Sequence, residues 1–420
     1  MKVLLVHPGK QHSFETAKAL KNAGILHKYV TTVYDKPNSL TNKFKKLLKG
    51  KNLKKANTRN CSFLEDNDVI QIYELWGLFV LLISKIPFLS KLYFHLNIAL
   101  ANHFADKAAQ IAIKEHVDAI VVYDGISRKG LEYIKKKAPQ IVTIMDVSIS
   151  MRPFMQTIFE KDMAEYHHLG FYEEEKYLNN KSCMRTIERE LKYVDYFFAP
   201  SEIVIQSLIY CGITKEKIIK VPYGVNINQF KFNLKKTQKI NPLHLIFVGQ
   251  LSYRKGIHHL LNVISHFSPS EVQLSLAGSY NRRSSLVNKF LNKSNIHFLG
   301  FVTRDILSQK LQEADVFVLP SLGEGMAMVI LEAMGTGTPV IVSDMSGGND
   351  AVKNKGNGII CKAGSEESLK ESIQWYIKNK EKLPRMSIEA HKTALNYTWE
   401  HYHKTYGKQI INILKKQAQL

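Results

Sequence analysis

The chain has 420 residues, 45% of them apolar, and a formal net charge of +21. That apolar content is enough for two sizeable cores, and the charge points toward acidic partners: phosphates, anionic lipid or nucleic acid. Cys61, Cys183, Cys211 and Cys361 stand singly, which excludes a metal-type spacing or a small disulfide framework and suits reduced thiols in a cytosolic setting. The longest apolar run, Leu75 to Leu89, is broken by Lys85 and Pro87 and is too short to span a bilayer, so the expectation is a soluble or peripheral protein.

Met1-Lys2-Val3-Leu4-Leu5-Val6 runs straight into a strand of the buried parallel type, without the regions of a signal peptide. The loop His7-Pro8-Gly9-Lys10-Gln11-His12 follows, then a helix from Phe14 to Asn22 stopped by Gly24. A glycine in the first strand–helix loop of an α/β domain lets backbone approach a ligand, which makes Gly9 a candidate. His7 and His12 fit either polar site groups or surface and capping positions. Lys28 to Tyr34 makes a second strand.

From Lys36 to Arg59 there are nine basic residues and no acidic one, with Phe44, Leu47, Leu48 and Leu53 between them. A short helix there would be basic with one apolar side, suited to an anionic membrane surface; a solvated basic loop is the other reading. Trp76 to Tyr93 is a second apolar, aromatic-rich stretch, either a core helix or a membrane-docking helix on the acceptor side.

Three more strands follow, Ala119 to Tyr123, Ile141 to Met145 and Tyr196 to Ala199. They end at Asp124-Gly125, Asp146 and Pro200-Ser201, where ligands of parallel sheets are met. Arg152 lies near Asp146. A long helical run from Glu160 to Tyr193 carries His167, His168 and the acidic cluster Glu173 to Glu175, with no third metal ligand at helical spacing. Val221-Pro222-Tyr223-Gly224-Val225-Asn226 and the Lys-rich segment Lys231 to Lys239 read as the passage to a second domain.

The second half opens with the strand Leu243 to Val248 and the loop Gly249-Gln250-Leu251-Ser252-Tyr253-Arg254-Lys255-Gly256. Cations at such a strand-to-helix loop would stabilise a diphosphate leaving group. Further strands are Leu274 to Ala277, with Arg282 and Arg283 behind it, and Ile296 to Leu299, ending at Gly300-Phe301-Val302. Next comes a strand through Phe317, the loop Pro320-Ser321-Leu322-Gly323-Glu324-Gly325, a helix from Met326 to Glu332, a Gly-punctuated stop and a strand from Val340 to Val342. The free N–H groups of that helix, from about Ala327 to Val329, suit phosphate. Glu324 and Glu332, eight residues apart, suit hydroxyl groups. A phosphate attached to a polyol satisfies both, as a nucleotide sugar would. Ser346-Gly347-Gly348-Asn349-Asp350 reads as a flexible loop near the same cleft, and Thr398 to Lys416 as a terminal helix.

Glu-Gly-Met-Ala-Met-Val-Ile-Leu-Glu, with the Pro-Ser-x-x-Glu-Gly lead-in and the Ala-Met-Gly-Thr-Gly-Thr-Pro-Val-Ile-Val exit, resembles the Glu-x7-Glu signature of retaining glycosyltransferases of family 4. The resemblance covers nearly the whole chain and is strongest from Val221 to Trp399. It implies an α/β GT-B fold: a Rossmann-like acceptor domain over 1–230, a Rossmann-like nucleotide-sugar domain over 240–398, and a terminal helix, 399–420, crossing back to the first. It gives Glu324 to the donor sugar, Glu332 to the ribose, and Ala327, Met328 and Val329 to phosphate. Lys255, with Arg254, is given the diphosphate, Phe301 the base and Gly9 the donor phosphates. Family members often carry two glycines where Gly9 stands alone, a histidine near Asp146, and an arginine where Gln250 stands.

The implied activity is transfer of a sugar from a nucleotide-diphosphate sugar to a glycan or lipid-linked acceptor in bacterial surface polysaccharide or glycolipid synthesis. No cofactor and no metal are expected, since no Asp-x-Asp motif presents itself. The expected place of work is the cytoplasmic face of an anionic membrane. A GT-B phosphorylase or a sugar-nucleotide epimerase shares the architecture. A nucleic-acid binder would rest on charge and interleaved aromatics alone, without a helix-turn-helix or RNP motif, and nucleic acid is not an expected partner.

Overall fold

A computed structural model describes residues 1–84, 86–125, 128–166, 168, 189–234, 242–281 and 284–419. His167, Glu173 to Glu175, Cys183, Arg282, Arg283 and the Lys-rich segment beyond Leu234 lie outside the described residues. The chain builds two wholly parallel sheets. Seven strands, β1 (Val3–Val6), β2 (Leu26–Thr31), β3 (Val69–Gln71), β4 (Ala119–Tyr123), β5 (Val142–Asp146), β6 (Tyr196–Ala199) and β7 (Ile218–Lys220), lie in the order β3-β2-β1-β4-β5-β6-β7. Six more, β8 (Leu243–Val248), β9 (Val272–Ala277), β10 (Ile296–Gly300), β11 (Val316–Leu319), β12 (Val340–Ser343) and β13 (Gly358–Cys361), lie in the order β10-β9-β8-β11-β12-β13. The central strands are continuous apolar runs buried along their whole length, such as Val-Leu-Leu-Val in β1 and Val-Phe-Val-Leu in β11. Such runs suit sheets covered by helices on both faces.

Strand order explains where the loops go. In each sheet the order reverses beside the first strand, between β1 and β4 and between β8 and β11. Loops leaving a sheet at such a reversal diverge to opposite faces and open a crevice at the C-terminal ends of the strands. The reversal in the second sheet therefore brings together the loop of Arg254 and Lys255, after β8, and the loop of Glu324, after β11.

Helices of the first half are α1 (Ser13–Asn22), α2 (Leu40–Lys45), α3 (Gly50–Asn57), α4 (Glu74–Ile83), α5 (Ser90–Lys114), α6 (Arg128–Lys137) and α7 (Arg152–Tyr166). The helix read over Glu160 to Tyr193 starts earlier, at Arg152, and its described part ends at Tyr166. The last helix, Trp399–Gln417, is capped by Thr398, whose side chain accepts from the N–H of His401. It packs back on α1, where Thr16 meets Tyr402 at 2.9 Å and His403 meets Glu15 at 2.8 Å. Gly407 permits this approach, because a Cβ there would lie 2.7 Å from that of Ala23. Among the described residues, no helix is long and apolar enough to cross a membrane.

The basic stretch from Lys36 to Arg59 is not one surface. Lys45 pairs with buried Asp35, and Lys36 donates to the carbonyl of Val69. Lys55 on α3 reaches the ring of Phe301 in the second half, 5.5 Å from its centroid. Only part of the stretch, around Phe44 and Leu47, turns apolar side chains outward. The apolar run after it does the same. Val80 and Ile83 of α4 are buried, while Leu75, Phe79 and Leu82 on the opposite side are exposed, as is Phe88, at 85%.

Candidate active site

Two loops of the second sheet and one of the first converge on Glu324. The loop after β8 folds into a short 3-10 turn, Tyr253–Lys255, which ends at Gly256 in the left-handed region (φ 66°). A Cβ at Gly256 would overlap the carbonyl of Pro320, so this glycine lets the loop lie against the one after β11. The N–H of Leu322 donates to the carbonyl of Arg254 at 2.8 Å.

Glu324 is buried, its side chain 10% exposed. Its Oε1 lies 2.6 Å from Arg254 Nη1 and 2.6 Å from Lys255 Nζ, and accepts from Ser321 Oγ at 3.1 Å. Burial pushes this carboxyl up, but Lys255 and Arg254 together outweigh it and hold Glu324 below the usual carboxylate range. It is therefore a charged acceptor between two cations.

The helix after this loop is Met328–Gly335, two residues later than the sequence suggests. First-half backbone holds the preceding residues extended. Ile149 and Gly325 form an antiparallel bridge, and both the N–H and the hydroxyl of Ser150 donate to the carbonyl of Glu324, at 3.2 and 2.6 Å. Ser201 Oγ donates to the carbonyl of Gly325 at 2.6 Å. A Cβ at Gly325 would overlap the carbonyl of Ser148. Of the three residues expected to offer N–H groups, Ala327 gives its own to the carbonyl of Ser346 at 3.3 Å. Met328 and Val329 open the helix, where amides have no partner within it.

Glu332 lies in the second turn of that helix, buried, with Oε1 3.0 Å from Arg304 Nη1. Here burial wins over Arg304 and raises the carboxyl above its ordinary value. Phe301 sits beyond, 61% exposed beneath Lys55.

On the first-half side, the Gly9 N–H donates to His7 Nδ1 at 2.8 Å, and its carbonyl accepts from Tyr29 Oη at 3.3 Å. His7 is buried, and burial lowers its pKa to about 4, which makes it neutral. Asp146 ends β5 and is 2% exposed, with Oδ1 3.2 Å from His12 Nε2. His12 in turn packs 4.4 Å from the Tyr223 ring. His7, His12 and Asp146 are buried, while Gly9 is partly exposed. The loop from Ser346 to Asp350 is packed rather than open: Ser346 is buried, Gly347 lies against Gly325, and Asp350 pairs with Lys220 at 2.8 Å.

A second cluster joining the two halves was not evident in the sequence. Asp162 on α7 accepts from Nε2 of both His258 and His259, at 3.0 and 2.6 Å, and His259 Nδ1 faces Glu366 at 3.4 Å. Burial opposes charge on His259, but hydrogen bonds to Asp162 and Glu366 prevail and raise its pKa to about 9. Asp162, His258 and His259 are the group among the described residues whose donor atoms, all within 4.8 Å of one another, suit a metal ion. Their present bonds describe a charged latch: an imidazolium between two carboxylates, with a neutral imidazole stacked on Tyr253. Two histidines in the mostly apolar helix Ile257–Ile264 were the available signal, since buried imidazoles need partners.

Residues 228–393 match the family model of glycosyl transferases group 1. An uncharacterized glycosyltransferase of Methanocaldococcus jannaschii is 36% identical over 166 residues, covering 36% of this chain and 43% of that protein. A UDP-Gal:alpha-D-GlcNAc-diphosphoundecaprenol alpha-1,3-galactosyltransferase of Escherichia coli is 43% identical over 199 residues, covering 44% of this chain and 48% of its own length. The chain thus spans under half the length of these two relatives. Among solved structures, sucrose-phosphate synthase of Thermosynechococcus elongatus superposes with a TM-score of 0.66 at 16% identity, over 99% of this chain and 100% of that one. The fold is GT-B: two Rossmann-like domains facing each other across a cleft.

Proposed function

We propose that this protein is a retaining, metal-independent glycosyltransferase of family 4, moving a sugar from a nucleotide-diphosphate sugar to a glycan or lipid-linked acceptor of a bacterial surface polysaccharide or glycolipid. The observation that carries the reading is the Arg254–Glu324–Lys255 arrangement, set ahead of the helix that bears Glu332. Two fixed cations beside the opening amides of a helix meet the charge of a departing diphosphate. When phosphate engages those cations, the Glu324 carboxylate is released to accept hydrogen bonds from sugar hydroxyls. Glu332 is placed one step further along the helix, where it accepts from a ribose. The donor phosphate takes the acceptor proton in this scheme, so no dedicated base is required. A phosphorylase or epimerase would reuse the same groups, and sugar transfer without free phosphate separates them.

The working place proposed is the cytoplasmic face of the membrane. Phe44, Leu47, Leu75, Phe79, Leu82 and Phe88 are exposed, and Lys43, Lys46 and Lys49 stand among them in sequence. Apolar side chains set among cations suit an anionic lipid surface, each engaged cation contributing roughly 1 kcal/mol.

Incubation with a panel of UDP- and GDP-sugars and lipid-linked acceptors tests the reading. Lys255→Ala and Glu332→Gln are each expected to lose transfer by roughly 30-fold to 10³-fold, on the order of 2–4 kcal/mol, with the fold intact. Turnover like that of the wild type in either variant refutes the donor-site assignment. Co-sedimentation should rise with the anionic fraction of vesicles and fall when Phe79 and Phe88 are both changed to Ser; indifference to both refutes the membrane assignment.

A further inference from the structure

The helix Ile257–Ile264 begins at Gly256, directly after the turn that bears Arg254 and Lys255. Its first residues are therefore fixed together with that turn, and two of them are His258 and His259. Aromatic rings wall both imidazoles in. Tyr253 lies parallel to His258, with ring centroids 4.7 Å apart, and Tyr166 of α7 meets His258 and His259 edge-on at 5.1 and 5.0 Å. Rings packed in this way keep one orientation, and both turn Nε2 to the carboxylate of Asp162.

One imidazolium is enough to balance Asp162; the second buried imidazole adds a nitrogen lone pair and no charge. Two neutral imidazoles with Asp162 and Glu366 leave two negative charges, which a divalent cation cancels. The donor atoms of Asp162, His258 and His259 lie within 4.8 Å of one another. An ion about 2.0–2.1 Å from each donor sets them roughly 3.3 Å apart, so the present contacts of 3.0 and 2.6 Å widen by less than about 1 Å. Glu366 supplies the outer partner that a ligating imidazole needs. Its Oε1 faces His259 Nδ1 at 3.4 Å and is itself held by Tyr166 Oη at 2.9 Å and Asn262 Nδ2 at 3.0 Å. A carboxylate on the far nitrogen fixes the tautomer that leaves Nε2 free for a metal. His258 Nδ1 has no hydrogen-bond partner among the described residues, so nothing on that side commits the ring to the other tautomer.

We infer that Asp162, His258 and His259 bind a zinc ion that staples α7 of the first half to the helix Ile257–Ile264 of the second. Two imidazole nitrogens with one carboxylate suit zinc, whereas magnesium and calcium take oxygen ligands. The role is structural. The ion braces the turn of Arg254 and Lys255 from behind and takes no part in sugar transfer. It occupies the place of a proton, so without it the three residues keep the hydrogen bonds of the latch. The site stands independently of the transferase reading.

The test uses the full chain without an affinity tag, treated with chelator and dialysed. Zn²⁺ is titrated by calorimetry and Co²⁺ by visible absorption, and thermal melting is followed with and without each ion. The wild type is expected to take up about one equivalent of Zn²⁺, to melt at a temperature that rises with Zn²⁺ concentration, and to show the visible bands of four-coordinate Co²⁺. Mg²⁺ should produce no shift in melting. Asp162→Asn and His258→Gln should each weaken Zn²⁺ binding at least about tenfold, and Glu366→Gln, acting through His259, by roughly 10- to 100-fold. The Glu366 side chain is 30% exposed, so its variant keeps the comparison readable where a buried substitution fails to fold. A wild type that takes up no Zn²⁺ and shows neither a melting shift nor Co²⁺ bands overturns the inference. Uptake unaffected by all three substitutions overturns it as well, since the ion then sits elsewhere.

Discussion

Changing Asp162 to Asn should loosen the two halves of the molecule in a way that depends on pH. Asp162 is 5% exposed and is the shared acceptor of two buried imidazoles. The amide keeps the shape but removes the charge, leaving the His259 imidazolium with Glu366 alone, 3.4 Å away and partly exposed. Breaking a buried pair by removing one charge costs about 3–5 kcal/mol. The direction with pH follows from His259, whose pKa is about 9 in the folded protein against 6.5 for the free group. A raised folded pKa contributes stability that is complete below about 6.5 and is lost as pH rises through 9. The span of the shift corresponds to roughly 3 kcal/mol, much the same as the cost of breaking the pair. Denaturant unfolding of wild type and Asp162→Asn at pH 6, 7.5 and 9.5 checks this. The gap between the two should be widest at pH 6 and shrink markedly by pH 9.5. A gap that stays constant across the range, or no gap at all, refutes the charged-latch account.

Lys45→Gln should destabilise by about 1–3 kcal/mol, because it removes the cation from the buried carboxylate of Asp35 and leaves it the Asn42 amide. Lys43→Gln, Lys46→Gln and Lys49→Gln should each change stability by under about 0.5 kcal/mol, as solvated surface substitutions do, and thermal melting of the four variants side by side decides it. Sugar transfer should persist in EDTA if, as proposed, Arg254 and Lys255 neutralise the diphosphate in place of a divalent ion; full loss restored by Mg²⁺ or Mn²⁺ contradicts this.

Much of the second half was legible because its chemistry is local in sequence. The loop before Gly256 and the run from Pro320 to Glu332 each carry charge, turn and helix start within about a dozen residues. Strands β4, β6 and β8 were also readable to the residue, being continuous apolar runs. Three of the four edge strands were not: β3 and β7, at three residues each, are too short for a pattern, and β13 follows a polar, Gly-rich stretch; all three are held by the neighbour they pair with. The start of the signature helix was misplaced for a related reason. Nothing within residues 324–327 says that Ser150 and Ile149, some 175 positions earlier, will hold that backbone extended. The basic stretch was read as one face because charge composition does not reveal partners, and Asp35 and Phe301, which divide it, lie outside it.

The carbonyl of Glu324 accepts two bonds from Ser150, while the side chain of the same residue sits between Arg254 and Lys255. One residue is thereby fastened to the first domain by its backbone and to the second by its carboxylate. Any hinge motion that parts the halves must either tear Ser150 away or drag Glu324 off its cations. The spacing of the two lobes and the aim of the carboxylate are a single degree of freedom, so closure of the protein is set at the same group that the proposed reaction gives to the sugar.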